Sequence, residues 1–267
     1  MASDLLKISL NGRTFFVTGA HAPFWERFAA NTWEPDTIRV FDHYIGPETV
    51  FLDVGCWIGP TLLYGAGRAK LAVGFEPDPA AFSILAQNVA ANPGLANIRI
   101  HRVAVAARKG VLRIGSQSEQ GDSMSSVLFS GGKQNWEAQA CRLEDMAGDW
   151  PDTGDCFVKV DIEGGEYGTL PALAGFIHAR RATVFVSFHQ RFFLQPYTGR
   201  GLTLKILGEL RLLLRAVGLY ALLRRFPHIY DENGREIQPA AFLLRKNWRR
   251  IETLLLSYRP GPPRGAP

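Results

Sequence analysis

A doubly wound α/β fold built on a mostly parallel sheet is the architecture this chain predicts. Three observations carry that expectation. From residue 49 onward, apolar segments of strand length alternate with segments of helical periodicity, joined by short links. The run Val50, Phe51, Leu52 leads into Asp53, Gly55, Gly59 and Pro60, the order of a buried strand, a glycine turn and a helix start. Asp53, Glu76, Asp161 and His189 end four of the strands, on the rim where such sheets bind ligands.

Before this alternation, residues 6–17 read LKISLNGRTFFV. Apolar alternation on both sides of Asn11-Gly12 predicts a hairpin with a type I′ turn. Residues 22–45 predict two short helices divided at Pro35, with Trp25, Phe28, Trp33, Val40, Phe41 and Tyr44 as apolar anchors. Residues 1–46 are therefore expected to form a cap over the main domain, 47–260, with a flexible tail at 261–267.

Within the main domain, residues 49–54 predict the first strand. Pro60 suits the first position of a helix running to about Arg68, since no N–H is needed there. LAVGFE (71–76) predicts the second strand, and Asp78-Pro79 caps a helix carrying Phe82, Leu85 and Val89. Strands are expected over 97–105, 111–115, 155–163 and 182–189. The Gly- and Ser-rich stretch 115–135 predicts a substrate- or cofactor-side loop. Gly164 to Ala174 predicts a helix interrupted near Pro171. Leu202 to Val217 predicts another, stopped by Gly218. Strands near 219–224 and 252–258, with a turn at Asn233-Gly234, close the fold.

Composition narrows the function. The chain has 267 residues, 46% of them hydrophobic, and its longest apolar runs are broken by Arg, Lys or Gly. None reaches the roughly 20 residues of a membrane span. The first residues show no basic segment followed by a long apolar one, so no secretory leader is expected. The three cysteines, Cys56, Cys141 and Cys156, form no C-x-x-C pair. That argues against a disulfide framework or a structural zinc site, and for a reducing, cytoplasmic setting. Charge is uneven: residues 178–267 carry 16 Lys/Arg against 5 Asp/Glu. Such a third is a solvated basic face or a surface for an anionic substrate, a nucleic acid such as RNA or a membrane surface. It lacks the interleaved aromatics of a single-strand binder, and no nucleic-acid partner is assigned.

The glycine spacing decides the cofactor class. A dinucleotide fingerprint needs G-x-G-x-x-G, whereas this loop is D-x-G-x-x-x-G, so a nicotinamide enzyme is not expected. Gly55 and Gly59 let the backbone approach a ligand, and Asp53 suits a ligand amino group or a helix cap. Glu76 lies at the separation from this loop where a carboxylate accepts ribose hydroxyls. In VKVDIEGGEY (158–167), Asp161 and Glu163 form a carboxylate pair at a strand end, with Lys159 as a candidate ion partner. Glu166 suits a helix start through the dipole. His189 ends VFVSFH on the same rim and suits a general base.

Taken in order, FLDVGCWIGP, GFEPDP, VKVDIEGGEY and VSFH resemble the FkbM family of S-adenosylmethionine (SAM) methyltransferases over roughly residues 45–260. The resemblance implies a Rossmann-like class I methyltransferase sheet of seven strands. It also implies SAM as cofactor and methylation of a hydroxyl on a sugar or small natural product, a glycan included. By resemblance Asp53, Gly55, Gly59 and Glu76 fall on SAM-binding positions. Trp57 stands where members commonly have Asn, and is expected to pack on the methionine end or close the pocket. Adenine is expected against Val103 and Ala104, with Asp122 as a polar contact. Asp161, Glu163 and His189 fall on polar positions facing the acceptor. Their spacing matches no dedicated metal motif, and no metal is assigned. Two alternatives stay open: a SAM-binding protein without transferase activity, and an RNA methyltransferase using the basic C-terminal third.

Overall fold

The computed structural model describes residues 5–116, 120–121, 125–126, 128, 134–151, 154–197, 201–244 and 252–261. Strands β1 (Leu5–Leu10) and β2 (Arg13–Thr18) form the hairpin, with Asn11 and Gly12 at φ 47° and 75°. Positive φ at both turn positions matches the right-handed twist of the flanking strands. Helices α1 (Ala22–Ala29) and α2 (Pro35–Tyr44) follow, each begun by a proline in its first turn.

The chain then runs β3 (Val50–Val54), α3 (Pro60–Ala66), β4 (Leu71–Phe75), α4 (Pro79–Ala90), β5 (Ile98–His101), β6 (Ala104–Val105), β7 (Gly110–Ser116) and β8 (Gln134–Cys141). It continues with β9 (Cys156–Val160), α5 (Glu166–Ala172), α6 (Ala174–Ala179), β10 (Thr183–Phe188) and α7 (Gln190–Leu194). Helix α8 (Leu202–Leu223), β11 (His228–Tyr230), α9 (Pro239–Leu244) and β12 (Glu252–Ser257) complete it. Seven strands make the main sheet in the order β11-β12-β10-β9-β3-β4-β5, and β12 runs antiparallel to both its neighbours. The chain moves outward from β3 through β4 to β5, then returns to place β9 on the other side of β3. That reversal opens a crevice at the carboxyl ends of β3 and β9, where ligands enter open α/β sheets.

Alternation along the central strands sorts two cores. Val50, Leu52, Val54, Val158, Val160, Val184 and Val186 face one apolar layer, with residues of α5, α6 and α8. Phe51, Phe157 and Phe185 face the other, against Trp25, Phe28 and Phe41 of α1 and α2. Successive strand residues point to opposite faces. Asp53 and Lys159, two positions beyond Phe51 and Phe157 and directly paired in register, therefore point toward the N-terminal helices.

Several sequence expectations change. Helix α8 does not stop at Gly218 but runs to Leu223, so residues 219–223 are helix and not strand. One mid-helix glycine costs about 1 kcal/mol. Burying Leu219, Leu222 and Leu223 returns about 1.5–3 kcal/mol for each, which decides the outcome. The strand expected there is β11, a few residues later. The strand expected over 97–105 divides: β5 stays on the main sheet, and β6 leaves it to pair with β8 in a three-stranded sheet, β6-β8-β7. Strand β8, which that small sheet holds in place, takes up the end of the stretch expected as loop.

Asn88 of α4 and Asn92 just beyond its end tie the hairpin to the rest of the chain. Asn88, fully buried, accepts from the Thr18 N–H at 2.8 Å and donates to the Ile58 carbonyl at 2.9 Å. Asn92 accepts from the Phe16 N–H at 2.8 Å and donates to the Phe16 carbonyl at 2.6 Å, as a neighbouring strand would. Asn88→Ala leaves a buried N–H and a buried C=O without partners. The expected loss is about 2–4 kcal/mol in urea denaturation with an unchanged slope; a loss below about 0.5 kcal/mol would remove Asn88 as the tie.

Candidate active site

The glycine loop is shaped by how closely it must pass β9. Gly55 has φ 84°, and a Cβ there would lie 1.9 Å from the Asp161 backbone oxygen. Gly59 has φ 95° and would bring a Cβ within 2.7 Å of Leu85. Between them Trp57 is also left-handed, φ 49°, a conformation that costs a bulky residue about 1–3 kcal/mol. Its N–H donates to Glu76 Oε2 at 2.9 Å, and its indole N–H donates to the Gly121 carbonyl at 2.9 Å. The ring packs edge-on against His21 and Phe24, with centroids 5.0 and 4.9 Å apart. Trp57 thus joins the loop to the cap.

Two cavities meet at this loop. One, of about 250 Å³, is walled by Val103, Ala104, Leu112 and Ile114 on its apolar side and by Glu76 on its polar side. Glu76 is buried; Oε1 accepts from the Asp78 N–H at 2.8 Å and Oε2 from Trp57, which leaves each oxygen a free lone pair. Burial pushes its carboxyl up to about 7. The other cavity, of about 480 Å³, is walled by Phe24, Trp33 and Glu34 of the cap and by Lys159, His189 and Arg191. Gly55, Trp57, Asp161 and Glu163 line both.

A charge network underlies the second cavity. Lys159 Nζ lies 3.6 Å from Asp53 Oδ1 and donates to Asp161 Oδ2 at 3.1 Å. Burial disfavours its charge, but Asp161, Asp53 and Glu34 outweigh that and hold its pKa above the ordinary range. Asp53 is wholly buried and accepts from the Thr61 hydroxyl at 2.7 Å; burial raises its carboxyl. It lies beneath the loop and lines neither cavity. Burial also works against ionising Asp161, yet Lys159 and then His189 bring its carboxyl below the usual range. Burial pushes Glu163 up to about 8.

His189 is held by Glu166. The ring Nδ1 is 2.8 Å from Glu166 Oε1, the same oxygen that accepts from the Gly164 N–H at 3.0 Å. The ring Nε2 faces Asp161 Oδ1 at 3.6 Å and Glu163 Oε2 at 3.5 Å. Burial opposes its charge, but the Glu166 bond and the three carboxylates raise its pKa to about 9.

The structure therefore brings Gly55, Trp57, Glu76 and Ala104 around one cavity and Asp161, Glu163 and His189 around the edge of the next. Gly59 starts α3, and Asp53 lies below. Asp122 falls outside the described residues. Sequence reasoning missed Glu166 as the partner of His189; it placed Trp33 in the cap only as an apolar anchor and did not single out Glu34 or His21 as cavity walls. The helix-start position of Glu166 concealed its second role, and nothing local marks the three cap residues.

A family model described as the methyltransferase FkbM domain matches residues 53–218. Among solved structures, a methyltransferase FkbM from Methylobacillus flagellatus KT is 14% identical with a TM-score of 0.50, over 87% of this chain and 53% of that one. The chain thus spans about half the length of that protein. An rRNA methylase from Streptococcus thermophilus is 11% identical with a TM-score of 0.42, over 84% of this chain and 95% of that one. No curated protein matches. Among the described residues no helix is long and apolar enough to cross a membrane.

Gly55→Ala is expected to cost more than about 4 kcal/mol, because the new Cβ meets backbone rather than a movable side chain. Thermal denaturation should fall by at least about 8 °C; a fall under about 2 °C would show that the loop relaxes freely.

Proposed function

Because the chain belongs to the FkbM methyltransferase family, we propose that it is a SAM-dependent O-methyltransferase acting on a hydroxyl of a sugar or small natural product. The observation that carries this reading is the junction of the two cavities at Gly55, Trp57, Asp161 and Glu163. A cofactor on one side and an acceptor on the other would share that boundary.

The residues present fit SAM. Gly55, Gly165 and Gly168 leave the first cavity free of side chains along part of its wall. The free lone pairs of Glu76 suit two ribose hydroxyls, and Val103, Ala104 and Ile114 suit the adenine faces. Asp161, held ionised, places a negative charge at the boundary that favours a sulfonium. Bound SAM supplies an electrophilic methyl group on that sulfonium. The acceptor side combines Phe24, Trp33 and Trp57 with carboxylates, a pairing suited to a polyhydroxylated ring with apolar C–H faces. The Asp161, Glu163 and His189 cluster orients the acceptor hydroxyl, Asp161 being the member held ionised and able to receive its proton through a hydrogen bond, and Glu166 fixes the imidazole. The cap aromatics exclude water, so positioning supplies most of the acceleration.

Glu76→Ala should weaken SAM binding at least tenfold in calorimetry; unchanged affinity would sink the cofactor site. The same carboxylate sets a pH dependence. With a free-state pKa of about 7 it is mostly protonated at pH 6 and mostly ionised at pH 8. SAM binds the ionised form, so affinity should rise about tenfold from pH 6 to pH 8, and Glu76→Gln should flatten that rise. His189→Ala should lower single-turnover methyl transfer at least a hundredfold while SAM affinity stays within about twofold. Equal turnover by the variant across an acceptor panel would take His189 out of the reaction.

A further inference from the structure

We infer that Asp161, Glu163 and His189 form a binding site for a divalent metal cation on the acceptor side of the cleft. One ligand atom from each residue lies within 4.8 Å of the other two. The His189 Nε2 is 3.6 Å from Asp161 Oδ1 and 3.5 Å from Glu163 Oε2. Three atoms at such separations can all touch one cation at about 2.1–2.4 Å, within the range of oxygen and imidazole ligation.

The surroundings of the imidazole point the same way. The His189 side chain is 6% exposed, and a proton on Nδ1 satisfies Glu166 at 2.8 Å. With Nδ1 engaged by Glu166, Nε2 is the ring nitrogen turned toward the two carboxylate oxygens, and a cation bound there takes the place of its proton. A carboxylate that orients a histidine through its far nitrogen is the usual support of a metal-ligating imidazole. Glu166 is itself immobilised, fully buried and bonded by the Ile162 and Gly164 N–H groups. The Glu163 Oε2 atom is buried and has no hydrogen-bond partner.

Among the described residues, two nearby cations are engaged elsewhere. Lys159 is already shared between Asp53 and Asp161. Arg191, on the same cavity wall, is exposed and lies over the Phe192 ring at 4.5 Å. The donor set of two carboxylates and one imidazole, without a thiolate, suits Mn²⁺ among the first-row ions. Three protein ligands leave coordination positions open toward the cavity, where two neighbouring oxygens of an acceptor fit. That last step rests on reading the cleft as the acceptor side of a methyl-transfer site; the metal site itself does not.

The test is titration of the full chain, stripped with chelator, by Mn²⁺ alone, followed by loss of the free-ion electron paramagnetic resonance signal. One Mn²⁺ per chain is expected, with coupling to an imidazole nitrogen in the pulsed spectrum. Glu163→Gln is isosteric and lies at the cavity edge, so it should fold and weaken binding at least tenfold. His189→Ala should abolish the nitrogen coupling, and Glu166→Gln should weaken binding roughly tenfold. Absence of stoichiometric binding by the wild-type chain overturns the inference, as does unchanged affinity in Glu163→Gln or retained nitrogen coupling in His189→Ala. SAM calorimetry on the same metal-free sample separates the two readings. SAM binding without Mn²⁺ binding overturns the metal site alone, and Mn²⁺ binding without SAM binding supports it while removing the cofactor assignment.

Discussion

The Lys159 ammonium, 4% exposed, lies between Asp53 on the neighbouring strand and Asp161 at the end of its own. Removing one member of such a buried set leaves an uncompensated charge at a cost of about 3–5 kcal/mol. The constraint propagates outward. Strand register places Asp53 opposite Lys159, and alternation turns both toward the N-terminal helices. Asp53 then anchors Thr61 in the first turn of α3, directly after the glycine loop. Asp161 is drawn to the cavity boundary, where it faces His189. The shape of the loop and the direction of the carboxylate–imidazole cluster thus follow from one charge taken out of water.

Much of this was legible in the sequence because it is demanded locally. The Asn11-Gly12 turn and the Asp78 cap on α4 are dictated within a few residues, and the glycines at 55 and 59 announce a left-handed turn locally although their closest contacts are distant. The strand-end acids are legible for a related reason, since a parallel sheet delivers its carboxyl ends to one rim. What stayed hidden depends on distant contacts. Glu166 meets His189 across 23 residues and was concealed by a second, equally good reason for an acid at a helix start. The extension of α8 past Gly218 is decided by leucines that only a packed sheet can bury. The sorting of 97–105 into two sheets needed β8, whose Gly/Ser-rich approach carries no strand signal.

Trp57 shows how a left-handed loop position can hold a bulky residue. Asn is well suited to a left-handed position, and Trp is not. The local strain is offset by an indole hydrogen bond to Gly121, by two aromatic neighbours in the cap, and by the N–H that Trp57 gives to Glu76. The residue keeps the backbone role of the position and adds a wall that an Asn side chain is too small to make.

The two bonds of Asn88 carry a consequence for how this protein can change. One amide group holds the hairpin through Thr18 and the glycine loop through Ile58. The segment that walls the larger cavity and the loop that borders both cavities are therefore not independent modules. Exchanging the N-terminal region for one with a different preference would require the incoming piece to present a backbone N–H at the same point. The side chains of α1 and α2 can thus be changed with less consequence than the path of the hairpin beneath them.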